Sequence, residues 1–192
     1  MLNLVLESLA VVTAIMYLIL AAKEDVRCWY AALISSILYF YIMLQAGLLM
    51  EGGLQIFYVF MAVYGWMQWK DTNNKTSSLK ISSWKKTTHL IIISFVITLS
   101  LISGIFLEKF TNAALPFLDA LTTWGAIAST YMVAKKVIEN WFYWFVIDSI
   151  SIYLFISRDL FLTAFLFLIY LVIIIYGYRS WKKLLKNSYD NI

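Results

Sequence analysis

The sequence has few of the residues that most often carry chemistry. A single cysteine, Cys28, excludes an intramolecular disulfide framework and any C-x-x-C redox or metal motif. A single histidine, His89, excludes histidine-rich metal sites, and no H-E-x-x-H, G-x-S-x-G or P-loop pattern occurs. No enzyme activity, metal or cofactor is therefore expected, and the chain has no motif for hydrolysing ATP itself. The one proline, Pro116, suits a helix start and leaves every other apolar run without a mid-helix kink. Charged side chains make up only 14% of the 192 residues, against about 25% in soluble domains. What fills the chain instead is apolar: 62% of residues, with a mean hydropathy of +0.80, which describes a polytopic membrane protein. The start, MLNLVLESLA, lacks a basic n-region and a small-residue cleavage site, so it reads as a retained helix.

Apolar runs of membrane-spanning length predict seven helices, at 2–22, 29–49, 54–69, 89–107, 116–134, 141–157 and 160–178. Most connections are short. The exception, 70–88, is rich in Lys, Ser and Asn and reads as a solvated, mobile connector. Thirteen of the fifteen Lys and Arg fall in alternate loops and the C-terminal tail, leaving only Lys109 and Arg158 on the other side. By the positive-inside rule the N-terminus is expected outside and the C-terminus in the cytoplasm.

Shifting the chain by 112 residues lays 6–70 over 118–182 without a gap and with fifteen identities. Tyr64-Gly65-Trp66-Met67-Gln68-Trp69-Lys70 falls on Tyr176-Gly177-Tyr178-Arg179-Ser180-Trp181-Lys182, and Trp29, Tyr41 and Tyr58 fall on Trp141, Tyr153 and Tyr170. A duplication of three helices follows. With one helix between them the halves run in the same sense, a 3+1+3 layout of parallel repeats as in the SWEET transporters. The expected organisation is a first bundle at 1–70, a cytoplasmic loop and linker helix at 71–115, a second bundle at 116–182 and a cytoplasmic tail at 183–192.

The stretch Asn140 to Asp148, NWFYWFVID, is the chemical centre of this reading. On a helix Trp141, Trp144 and Asp148 share one face. A carboxylate two turns inside a membrane segment costs about 2.5 to 3.5 kcal/mol on insertion scales, so it marks a polar cavity by default. Aromatic faces beside one anion suit a flat organic cation. In the first half Asp148 and Trp144 are matched by Ser36 and Ala32, an asymmetry that suits an asymmetric ligand. Asn140, Trp124, Gln45, Tyr41 and Tyr153 complete the candidate substrate-binding set. The plainer readings stand beside it: an interfacial belt for Trp141, a helix–helix hydrogen bond for Asp148, and helix packing for the polar face around Trp124. Glu7 and Asp119, equivalent across the repeat, are candidates for a paired outer gate or for acids favoured at helix N-termini.

The YGWMQWK segment, the Glu139-Asn140-Trp141-x-x-Trp144 segment and the 3+1+3 layout together resemble the PnuC-type vitamin transporters over nearly the whole chain. The resemblance implies a multi-pass protein of the bacterial inner membrane, working by facilitated diffusion, with a cytoplasmic kinase trapping the vitamin by phosphorylation. It implies a homotrimer as assembly, and substrate stacking for Trp141 and Trp144. An acid in Trp-x-x-Trp-x-x-x-Asp looks like the thiamine branch, PnuT, so thiamine ranks first, nicotinamide riboside second and riboflavin third. A membrane scaffold or sensor without transport is the alternative of another class.

Overall fold

A computed structural model of the chain describes residues 2–45, 49–70, 79–111, 115–157 and 161–190. It is all-helical: α1 (Leu2–Ala22), α2 (Cys28–Gln45), α3 (Leu49–Lys70), α4 (Lys86–Phe110), α5 (Pro116–Ala134), α6 (Asn140–Ile156) and α7 (Phe161–Asp190). Three windows are long and apolar enough to cross a membrane, Val5–Ala22, Lys86–Phe110 and Ala164–Asn187, and Cys28–Ile42 and Asn140–Ile156 are shorter apolar helices.

The elements start and stop for local reasons. Pro116 occupies the first turn of α5, where its missing N–H costs nothing, and Asp119 adds a favourable charge to that turn. Helices α1 and α5 end at matching places, and Glu24 and Lys136 just beyond them have φ of 59° and 52°. Helix α3 starts at Leu49, ahead of the expected Leu54, and carries Gly52 and Gly53 within it. An apolar surrounding offers no water to a broken backbone, so the helix persists through both glycines. Helix α7 runs on to Asp190, so the part of the tail expected at 183–192 that lies within the described residues is helix. The sequence after Tyr178, RSWKKLLKNS, has strong helix formers and no glycine or proline to stop it.

The helices pack as a closed circuit: α1 on α2, α2 on α3, α3 on α5, α5 on α6, α6 on α7, and α7 back on α1. Helix α4 stands outside this ring and packs mainly on α5, where Gly104 receives the ring of Phe117, while His89 in its first turn reaches Tyr143 of α6. The two contacts that close the ring, α3 on α5 and α7 on α1, join the third helix of one half to the first of the other.

The outside of the ring is apolar, and several polar side chains are buried. Phe60, Phe165 and Val172 are exposed, as are Phe95 and Phe110 of α4, whereas Ser35, Ser36, Ser129, Thr130, Asp148 and Ser151 are buried. That inversion of the soluble pattern suits a lipid solvent.

The segment before α4 corrects an expectation. Residues 79–85 are an ordered strap and not a solvated connector. Ser82 N–H donates to the Lys136 carbonyl at 3.0 Å, and Ile138 N–H donates to the Ser82 carbonyl at 2.9 Å. Ile81 is buried in the main apolar core. Glu139 accepts from the Ser83 hydroxyl and from Trp84 N–H, the latter at 3.3 Å. The start of 70–88, through residue 78, lies outside the described residues.

Candidate functional site

Asp148 is 4% exposed, on α6. Its carboxylate acts electrostatically on two phenols, Tyr58 of α3 and Tyr170 of α7, which are equivalent positions of the two halves. Tyr170 in turn interacts with Tyr39 of α2, and Tyr58 with Tyr17 of α1. Five of the six ring helices thus send a polar group to one region. Tyr17, Tyr58 and Tyr170 are half-buried. Of the hydrogen bonds among the described residues, none reaches the Asp148 carboxylate. A buried carboxylate needs compensation from a cation or from donors, and the phenols are the donors at hand.

Below this polar centre lies a layer of tryptophan. Trp29 and Trp69 meet edge to face at 5.4 Å, Trp141 and Trp181 meet the same way at 5.4 Å, and Trp69 and Trp181 join the two pairs at 6.1 Å. None of the four is more than 2% exposed. The rings of Trp29 and Trp141 rest directly on Gly65 and Gly177, where a Cβ would overlap them. Tyr17, with its ring 6.0 Å from Trp29, links the polar centre to this layer.

The other expected site residues are dispersed. Trp144 is half-buried and packs against the main core. Trp141 has its ring enclosed by Gly177 and Trp181 in this conformation. Asn140 is fully buried at the start of α6, and its amide donates to the Val137 carbonyl at 2.6 Å. Trp124 is half-buried and turns towards α4, donating from Nε1 to Ser103 Oγ at 3.0 Å. Tyr41, Gln45 and Tyr153 are on exposed surface, with Tyr153 59% accessible. Glu7, one turn into α1, is exposed, and Asp119, in the first turn of α5, is half-buried.

Sequence reasoning missed Tyr17, Tyr39, Tyr58 and Tyr170. The identity of Tyr58 and Tyr170 across the repeat was a usable signal; Tyr17 and Tyr39 gave none, since the second half has Ser129 and Ser151 there. No group of three or more metal-ligating side chains occurs among the described residues.

Known proteins share this fold. The solved structure of the vitamin B3 transporter PnuC superposes with a TM-score of 0.75 over 95% of this chain and 82% of that one, at 24% identity, which establishes the fold. The riboflavin/roseoflavin transporter RibM of Streptomyces davaonensis is 25% identical over 136 residues, covering 68% of this chain and 63% of RibM. The nicotinamide riboside transporters PnuC of Escherichia coli and Haemophilus influenzae are each 23% identical over 92% of this chain, covering 84% and 79% of those proteins. Residues 4–183 match the family model described as nicotinamide mononucleotide transporter. Spanning all seven helices but the end of the last, that match makes the chain a member of the nicotinamide mononucleotide transporter family.

Proposed function

We propose that the chain is a bacterial inner-membrane carrier for a small cationic vitamin, nicotinamide riboside before thiamine, which binds at Asp148 inside the helix ring. The observation that carries this is a buried carboxylate on α6 that acts electrostatically on tyrosines of α3 and α7, in a closed ring of helices whose outside is apolar. Nicotinamide riboside brings a pyridinium charge that Asp148 balances, an aromatic face for tyrosine and tryptophan rings, and ribose hydroxyls for the phenols.

The relatives reverse the order expected from the sequence. Their names give nicotinamide riboside and riboflavin or roseoflavin. Thiamine keeps second place because Asp148 after Trp-x-x-Trp suits a thiazolium equally well. Riboflavin is neutral and gains nothing from a desolvated carboxylate.

Movement of the two three-helix units about the central site would expose it to each side in turn. By facilitated diffusion uptake would equilibrate, and accumulation would then need a cytoplasmic kinase to phosphorylate the vitamin.

The test is calorimetric titration of the purified protein with nicotinamide riboside, thiamine and riboflavin, repeated on Asp148→Asn. Nicotinamide riboside should bind most tightly and lose roughly thirtyfold or more in the variant, the scale of removing one member of a buried charge pair. Thiamine preferred with the same loss would move the substrate and keep the site. No binding of any of the three would overturn the carrier reading.

A further inference from the structure

Glu24 and Lys136 occupy the same position of the two halves, 112 residues apart. Each follows the end of the first helix of its half, each adopts a left-handed backbone, and they bond to each other: Lys136 Nζ donates to Glu24 Oε1 at 2.6 Å. Equivalent residues that touch must straddle the axis relating the halves. The pair therefore sits over the centre of the ring, on the face where α1, α3 and α5 end and α2 and α6 begin. Their side chains are 25% and 7% exposed, so the bond is shielded from the solvent that weakens surface pairs. The Lys136 ammonium also lies 4.8 Å from the ring centre of Trp69, which ties it to the tryptophan layer beneath.

That layer is fastened across the same axis. Trp69 Nε1 donates to the Ala134 carbonyl at 3.1 Å, and Trp181 Nε1 donates to the Ala21 carbonyl at 2.9 Å. Each indole belongs to the third helix of one half and each carbonyl to the end of the first helix of the other. Lys135 adds a bond to Gln68 Oε1 at 3.1 Å between the same two elements, α5 and α3. A carrier with one central site must close one face while the other opens. On this face the structure is closed, by four buried rings with an ion pair above them.

We propose that Glu24 and Lys136 are the latch of a gate on the basic face of the ring, and that the passage of substrate requires the pair to part. This rests on the carrier reading and deepens it by assigning gate residues. Like a salt bridge between subunits that swing apart, the pair is made in one state and broken in the other. Its removal biases the ring towards opening on this face.

Cys28, the single cysteine, is fully buried in the same core and serves as the reporter. The experiment is alkylation of Cys28 by a bulky water-soluble maleimide, in the wild type, Lys136→Met, Glu24→Gln, the double variant, and Lys182→Met as a control at an exposed lysine. Lys136 acts electrostatically on the Cys28 thiol, and losing a nearby cation slows a thiol by charge alone. Acceleration in Lys136→Met therefore reports access. The expectation is labelling about tenfold faster in each single variant, the scale of a part-buried charged hydrogen bond. The double variant should be no faster than the faster single, and Lys182→Met should match the wild type. Labelling of Lys136→Met at or below the wild-type rate overturns the latch, and so does additivity in the double variant. If Lys136→Met fails to fold, Lys136→Gln, which also removes the cation, takes its place: acceleration supports the latch and an unchanged or slower rate overturns it. The labelling needs no substrate, so a wrong substrate shows in the titration and leaves this result standing.

Discussion

Trp69 and Trp181 stand 6.1 Å apart where the two halves of the ring meet, and each passes its indole proton to a backbone carbonyl at the end of the other half's first helix. The acceptors, Ala134 and Ala21, belong to the last turns of α5 and α1, where helical carbonyls run out of partners, although Ala21 also accepts from Glu24 N–H at 3.0 Å. A third-helix tryptophan therefore caps a first helix in trans, twice. Replacing either with phenylalanine keeps most of the apolar bulk and removes the donor. Trp69→Phe should lose about 1 to 2 kcal/mol, the scale of a buried acceptor left unsatisfied, and Trp181→Phe less, about 0.5 to 1 kcal/mol, because the Ala21 carbonyl keeps the Glu24 N–H as donor. Because the rings touch, the double variant should depart from additivity. Thermal unfolding in detergent measures all three.

Gly65 and Gly177 are needed for space. A methyl at either would enter the ring of Trp29 or Trp141, and both rings are locked by a second tryptophan. Gly65→Ala and Gly177→Ala should each destabilise by about 1 to 3 kcal/mol, as overpacking does. Gly53, also within α3, has open space at its Cβ. There alanine should be neutral or stabilising by up to about 1 kcal/mol from helix propensity. Unfolding midpoints of the three variants side by side test the contrast, and an equal loss at Gly53 would remove the steric account.

The helices were legible in the sequence because lipid demands uninterrupted apolar length, and Pro116–Ala134 appears in the structure with the expected limits. Pairs 112 apart meet matching neighbours at Trp29 and Trp141, Gly65 and Gly177, and Trp69 and Trp181. Side-chain direction was harder to read. Trp141 and Asp148 do share a side of α6, but the first meets a glycine of α7 and the second the phenols, and only the neighbouring helices decide that. The tyrosines escaped notice because tyrosine is common in this chain and its period along a fully apolar helix carries no contrast. The ordered strap at 79–85 escaped because its polar composition mimics a solvated loop, while its fastening is backbone to backbone. Across the repeat, bulk in one half is matched by small side chains in the other: Tyr17 and Tyr39 by Ser129 and Ser151, Asp148 and Trp144 by Ser36 and Ala32.

Tyr58 and Tyr170 should contribute to binding and little to stability. Asp148 acts electrostatically on both, and both are half-buried. Tyr58→Phe and Tyr170→Phe keep the ring and remove the hydroxyl. Each should weaken nicotinamide riboside roughly tenfold, the scale of a hydrogen bond to a charged group, with unfolding changed by less than about 1 kcal/mol. In an Asp148→Asn background the same substitutions should cost less, since the hydroxyls would no longer serve a carboxylate. Titration calorimetry on the six proteins of this cycle separates a shared site from two independent packing roles.

The strap before α4 is held at Glu139, which takes the Ser83 hydroxyl and Trp84 N–H and lies 3.8 Å from His89 Nε2, while His89 Nδ1 meets the Tyr143 hydroxyl at 2.9 Å. Every one of these partners sits on the strap, the first turn of α4 or the start of α6, so one carboxylate fastens three segments. Glu139→Ala should release the strap while leaving the ring, whose closing contacts lie elsewhere, in place. The loss should be about 1.5 to 3 kcal/mol in unfolding, as for hydrogen bonds to a charged acceptor. Hydrogen exchange is the sharper measurement. The amides of Ser82 and Ile138, paired across the strap in the wild type, should lose protection in Glu139→Ala, while those of Trp141 to Asp148 within α6 keep theirs. Equal loss in both places would mean that Glu139 supports the ring as a whole and not the strap.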